Sequence, residues 1–141
     1  MGKKNKNDKF YTKENIAIDL IKLLDLSRFK TVIECSAGNG SFSNNTRHDN
    51  LIALDIEPEN DNIIKMDWFN YNESHEDLLI ISNPPFGIRN NLSKAFIKHS
   101  IKLGAKTIAF ILPNVYKVNI SNVLLNSILK LSDNLLQPLS C

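Results

Sequence analysis

Ten residues constrain the fold of this chain more than any others: Leu78-Leu79-Ile80-Ile81-Ser82-Asn83-Pro84-Pro85-Phe86-Gly87. An apolar run of strand character ends in an amide, two prolines and an aromatic ring. Proline has no N–H and a fixed φ, so no ladder continues through Pro84 and Pro85. The residue before a proline is pushed into extended geometry, which holds Asn83 at the tip of the strand. The product is a rigid corner with carbonyl oxygens unclaimed by a ladder, an amide side chain projecting and Phe86 alongside. That chemistry suits a flat, amine-bearing group: acceptors for its N–H bonds and a ring for its face.

Other segments repeat the scheme of an apolar strand ending in polar residues. Thr31-Val32-Ile33-Glu34 runs into Cys35-Ser36-Ala37-Gly38-Asn39-Gly40, where two glycines let the backbone turn sharply and approach a ligand. Leu51-Ile52-Ala53-Leu54 ends at Asp55, with Glu57 two residues on; a carboxylate at a strand tip is placed to accept hydrogen bonds from ribose hydroxyls. A short strand at Ile63–Met66 leads to Asp67-Trp68-Phe69, and Lys106–Pro113 carries the uninterrupted apolar run Ile108–Leu112, as in strands buried within parallel sheets. Helical spacing marks a segment capped by Thr12 and carrying Ile16, Ala17, Leu20, Ile21, Leu23 and Leu24 on one buried face. It recurs from Leu92 to Leu103, with Gly104 as the C-terminal stop, and again from about 118 to 131. Strands alternating with helices predict an α/β, Rossmann-like three-layer sandwich with a mostly parallel sheet. Ligands in such sheets bind beyond the C-terminal strand ends, where Ser36, Asp55, Asp67 and Asn83 all fall.

The chain has 141 residues, room for one domain at 11–141 after a lysine-rich, solvated lead at 1–10 that is expected to be disordered. No apolar run approaches the roughly 20 residues a membrane helix needs, and no secretory signal opens the sequence. Two cysteines, Cys35 and Cys141, make no disulfide framework, which fits an intracellular, cytoplasmic setting. A net charge of +2 neither demands nor excludes nucleic acid. His48, His75 and His99 lack metal-ligand spacing, and no metal is expected.

Together, Asn83-Pro84-Pro85-Phe86 and Glu34-Cys35-Ser36-Ala37-Gly38-Asn39-Gly40 resemble, in order, the signatures of amino-group methyltransferases that use S-adenosyl-L-methionine (SAM). The resemblance spans roughly residues 10 to 115. It implies that Tyr11 and Thr12 touch the methionine end of SAM, and that Glu34 fixes the glycine loop or the ligand's amino group. Ser36, Gly38, Asn39 and Gly40 would frame the methionine moiety, and Asp55 would take the ribose. Asp67 would meet the adenine amino group, with Trp68 or Phe69 against its ring. Asn83 and Pro84 would accept the N–H bonds of the target amine, and Phe86 would stack on its base.

The activity this resemblance implies is SAM-dependent methyl transfer to an exocyclic amine, with adenine N6 in DNA or RNA foremost. A glutamine side-chain amide fits the same corner. Relatives continue to a sixth and a seventh strand, whereas five fit here. A C-terminally short domain is therefore expected, or one completed by a dimer or partner over the edge of the fifth strand. The rival from another class is a non-catalytic remnant that keeps the pocket as a binding subunit.

Overall fold

A strand buried on both faces is apolar along its middle, and the central strands follow that rule, with buried polar residues only at their ends, Thr31, Glu34 and Ser82. The computed structural model describes residues 11–112, which form five strands, two α-helices and several 3₁₀ turns. The strands are β1 (Thr31–Glu34), β2 (Leu51–Asp55), β3 (Ile64–Lys65), β4 (Leu78–Ser82) and β5 (Thr107–Phe110). They make one sheet in the order β3-β2-β1-β4-β5, every pair parallel. All residues of β1, the central strand, and of β4 beside it are buried.

Period-2 alternation divides those strands between two cores. On one face Ile33, Leu54, Leu78, Ile80 and Ile108 pack with Phe96 and Ile97 of α2 (Asn91–Lys102). On the other, Val32, Leu79, Ile81 and Ala109 pack with Ala17 and Leu20 of α1 (Glu14–Lys22). One helix covers each face, giving the three layers of an α/β, Rossmann-like fold. Each fully buried Leu, Ile or Phe contributes about 1.5–3 kcal/mol, so both helices are held chiefly by these contacts.

Local differences from the expected elements have clear causes. Lys13, not Thr12, occupies the N-cap of α1, and no side chain caps it. The Thr12 hydroxyl is engaged elsewhere, accepting from Asn83 Nδ2 at 3.2 Å. Leu23 lies past the last residue of the helix and is exposed. The third strand contracts to Ile64–Lys65, both exposed, as suits an edge with a lysine on it. α2 ends as expected: Gly104 has φ +80°, its N–H donates to Ile101 O at 2.9 Å and that of Ala105 donates to Ser100 O at 3.1 Å. Among the described residues β5 closes the other side of the sheet, and none of the helices is long and apolar enough to cross a membrane. The lead at 1–10 and the helix expected at 118–131 lie outside the described residues.

Candidate functional site

The strand order reverses direction between β1 and β4: from β1 the chain moves to β2 and β3 on one side, then returns to β4 and β5 on the other. A crevice opens at such a switch point beyond the strand tips. It is present here as a groove of about 490 Å³, counting space that merges with bulk solvent. Glu34, Ser36, Gly38 and Asn39 line it from the tip of β1, Asp55 from β2, Asn83 and Pro84 from β4, and Tyr11 and Thr12 from the segment before α1. Nine residues singled out from sequence therefore share one surface, joined by Ala37, Ser41, Phe42 and Pro85.

The glycine turn is held from both sides by carboxylates. Gly38 has φ +58° and its N–H donates to Asp55 Oδ2 at 2.7 Å, while Glu57 N–H donates to Asp55 Oδ1 at 2.7 Å. Glu34, 1% exposed, accepts from Ser43 N–H at 2.9 Å and from Phe42 N–H at 3.3 Å. Burial outweighs these bonds and holds the Glu34 carboxyl up at about 7. Gly40, with φ +86°, does not line the groove; it turns the chain behind it, and a Cβ there would press on Asn44 and Ser43 at 3.0 Å.

A phosphate-binding turn offers free N–H groups at a helix N-terminus. Here the turn enters a 3₁₀ segment, Ser43–Asn45, and the Phe42 and Ser43 N–H groups are already directed at Glu34. Among the described residues, those lining the groove include two carboxylates and no Lys or Arg. Such a lining repels a pyrophosphate and favours a ligand that is cationic or rich in hydroxyl and amine donors.

At the corner Asn83 is half-buried and Pro84 buried. With Asn83 Nδ2 donating to Thr12 Oγ1, the amide oxygen is turned to the opposite side of the side chain. Ser41 Oγ lies 2.8 Å from both Thr12 O and Asn39 Oδ1, tying the segment before α1 to the glycine turn. Tyr11 O–H donates to Glu59 Oε1 at 2.6 Å, which raises the phenol pKa, and its ring stands over Gly38, 3.8 Å from where a Cβ would be. Neither Ser41 nor Glu59 was singled out from the sequence. Their contacts span 29 and 48 residues, and no local pattern encodes a pairing over such distances.

Four further singled-out residues stand outside the groove lining. Trp68 is 1% exposed and stacks on Tyr71 with ring centroids 5.7 Å apart; its indole belongs to the core. Asp67 accepts from Phe69 N–H at 2.9 Å, capping the short turn Trp68–Asn70, and Phe69 is the partly exposed ring of that turn. Phe86 is half-buried beside the corner, and its carbonyl accepts from Leu92 N–H at 3.2 Å. Burial pushes the Cys35 thiol up, so it stays protonated and is no nucleophile. Among the described residues no group of three His, Cys, Asp or Glu is placed to hold a metal ion. Comparison with protein-family models and with curated proteins finds no match to this chain.

Proposed function

We propose that this chain is a SAM-dependent methyltransferase acting on an exocyclic amino group, adenine N6 of DNA or RNA being the substrate its corner suits best. One observation carries the reading: the glycine turn, two carboxylates and the Asn83-Pro84 corner face a single groove whose lining, among the described residues, carries no positive charge. The donor set fits SAM, which has a sulfonium, an ammonium and two ribose hydroxyls but no phosphate. Asp55 and Glu34 would attract its cationic and hydroxyl groups. Gly38 gives its methionine end close backbone approach, and Tyr11 would cover it from above.

When bound, SAM supplies a methyl group on a positively charged sulfur, an electrophile that requires only an aligned lone pair. The residues of the chain supply that alignment. An adenine amine is a poor nucleophile because its lone pair is delocalised into the ring. Asn83 Oδ1 and Pro84 O would accept its two N–H bonds, favouring a pyramidal nitrogen whose lone pair points into the groove. Fixed acceptors of this kind are worth about 3 kcal/mol of barrier, and holding both reactants in line contributes more. The amine nitrogen would form the new N–C bond as the methyl–sulfur bond breaks, the electron pair leaving on sulfur as a neutral thioether. The nitrogen would then release a proton to solvent, so no strong base is required. Phe86 would stack on a base withdrawn from its helix, as enzymes that modify bases require.

The test combines SAM calorimetry with transfer of tritiated methyl to adenine-containing DNA, to RNA and to a glutamine peptide. Asn83→Ala is expected to abolish transfer while SAM affinity stays within about fivefold. Loss of both together would refute the role given to Asn83, and absence of SAM binding by the unaltered chain would refute the function.

A further inference from the structure

The near-neutral net charge conceals a strong segregation. Residues 11–77 hold thirteen acidic side chains against six basic ones. Residues 78–112, which form the corner, α2 and β5, hold Arg89, Lys94, Lys98, Lys102 and Lys106 with no Asp or Glu. Lys106 is paired with Asp77 at 3.2 Å. The other four cations are exposed, and among the described residues no ion pair ties them down.

Their placement is periodic. Lys94, Lys98 and Lys102 recur every four residues, so they share the solvent face of α2, opposite buried Phe96, Ile97 and Ser100. The stripe is about 12 Å long, the axial length of three to four phosphates on one strand of a nucleic acid. Arg89 continues it towards the corner. Beside Arg89, Ile88 is 83% exposed, more than any other large apolar side chain among the described residues.

The stripe is also fixed relative to the groove. Leu92 N–H and Ser93 N–H donate to Phe86 O at 3.2 and 3.4 Å, and Ser93 Oγ donates to Pro85 O at 3.3 Å. Gly87, at φ +69°, packs so closely that an added Cβ would stand 2.6 Å from Leu92 Cβ. Whatever lies along α2 is thereby registered against Asn83 and Pro84.

We propose that the outer face of α2, with Arg89 and Ile88 at its start, is the docking surface for a nucleic-acid strand. Lys94, Lys98 and Lys102 contact successive phosphates, and Ile88 offers an apolar contact to a base next to the one at the corner. This surface rests on the methyltransferase reading for its purpose and on charge alone for its partner. Solvated lysines serving only solubility would not need a rigid tie to the groove.

The test measures binding of a 20-nucleotide single-stranded DNA by the full chain and by Lys94→Ala/Lys98→Ala/Lys102→Ala, from 50 to 200 mM salt. About 0.7 is lost from the slope of log K against log salt per phosphate contact removed, so the triple variant should lose about two units of slope. Its SAM affinity and melting temperature should be unchanged, and Lys13→Ala/Lys22→Ala on α1 should leave the slope intact. An unchanged slope in the triple variant overturns the docking surface. So does equal competition by polyglutamate or phosphatidylserine vesicles, which would show a generic polyanion or membrane surface. Neither of those results bears on SAM binding, whose failure would instead strike the function itself.

Discussion

Glu34 allows the physical picture of the site to be tested without any ligand. Its carboxyl sits at about 7 instead of 4.5, because burial disfavours the charged form more than the Ser43 and Phe42 N–H groups favour it. Below pH 4.5 both folded and unfolded chains carry it protonated, and folding is not penalised. Between 4.5 and 7 the unfolded chain ionises first, so it holds fewer protons and stability falls as pH rises. Above 7 both forms are ionised and the whole cost is present. A displacement of about 2.5 units corresponds to about 3 kcal/mol, at 1.36 kcal/mol per unit. In a chain of this size that is about 10 °C of melting temperature. Glu34→Gln keeps the shape and removes the titration. Urea unfolding of both proteins at half-unit steps from pH 4.5 to 8 isolates the effect, because other titrating groups cancel in the difference. The unaltered chain should lose about 3 kcal/mol relative to the variant across that interval. Parallel curves, or a difference of opposite sign, would refute burial as the dominant influence on Glu34.

Two further substitutions separate the parts of the site. Asp55→Ala removes acceptors from Gly38 N–H and Glu57 N–H, so it should lower stability by about 1–3 kcal/mol by urea titration and weaken SAM binding by calorimetry. Unchanged SAM affinity would remove Asp55 from the cofactor role. Gly87→Ala forces a side chain into a glycine-only conformation against Leu92, which should cost at least about 2 kcal/mol in a thermal melt. It should reduce methyl transfer far more than SAM affinity, because it shifts the corner and not the glycine turn.

Much of this architecture can be read directly from residue patterns, for an identifiable reason. β1, β4 and β5 are covered on both faces, so they are apolar except at their ends, and their existence needs no tertiary information. Position at strand tips follows as surely: Asp55 and Asn83 end their strands in sequence, and a parallel sheet with one switch point brings such tips to a common crevice. What local pattern cannot supply is the competition among partners. Trp68 follows Asp67 as a ligand-facing ring would, yet Tyr71 and His99 enclose it, the latter with ring centroids 5.0 Å away. Thr12 has the composition of a helix cap, but a residue 71 positions away claims its hydroxyl.

The same competition explains why the groove and the outer wall carry opposite charge. A carboxylate buried as deeply as Glu34 survives only where backbone donors surround it, and the glycine turn supplies them. With those donors committed, they are not offered to an anion in the groove, whose described lining holds Glu34 and Asp55 and no Lys or Arg. A polyanionic substrate would then be repelled at the rim unless positive charge lay nearby to hold it. In the described chain that charge is gathered on α2 and Arg89, on the side of the Pro84-Pro85 corner away from the carboxylates in sequence. On the proposed function, an acidic pocket for a cationic cofactor and a basic wall for an anionic strand would be coupled requirements of a single reaction. Reversing the wall with Lys94→Glu/Lys98→Glu should accordingly raise the KM for a nucleic-acid substrate and leave transfer to a free nucleoside unchanged. Equal loss for strand and nucleoside would show that α2 acts through the corner and not through phosphate contacts.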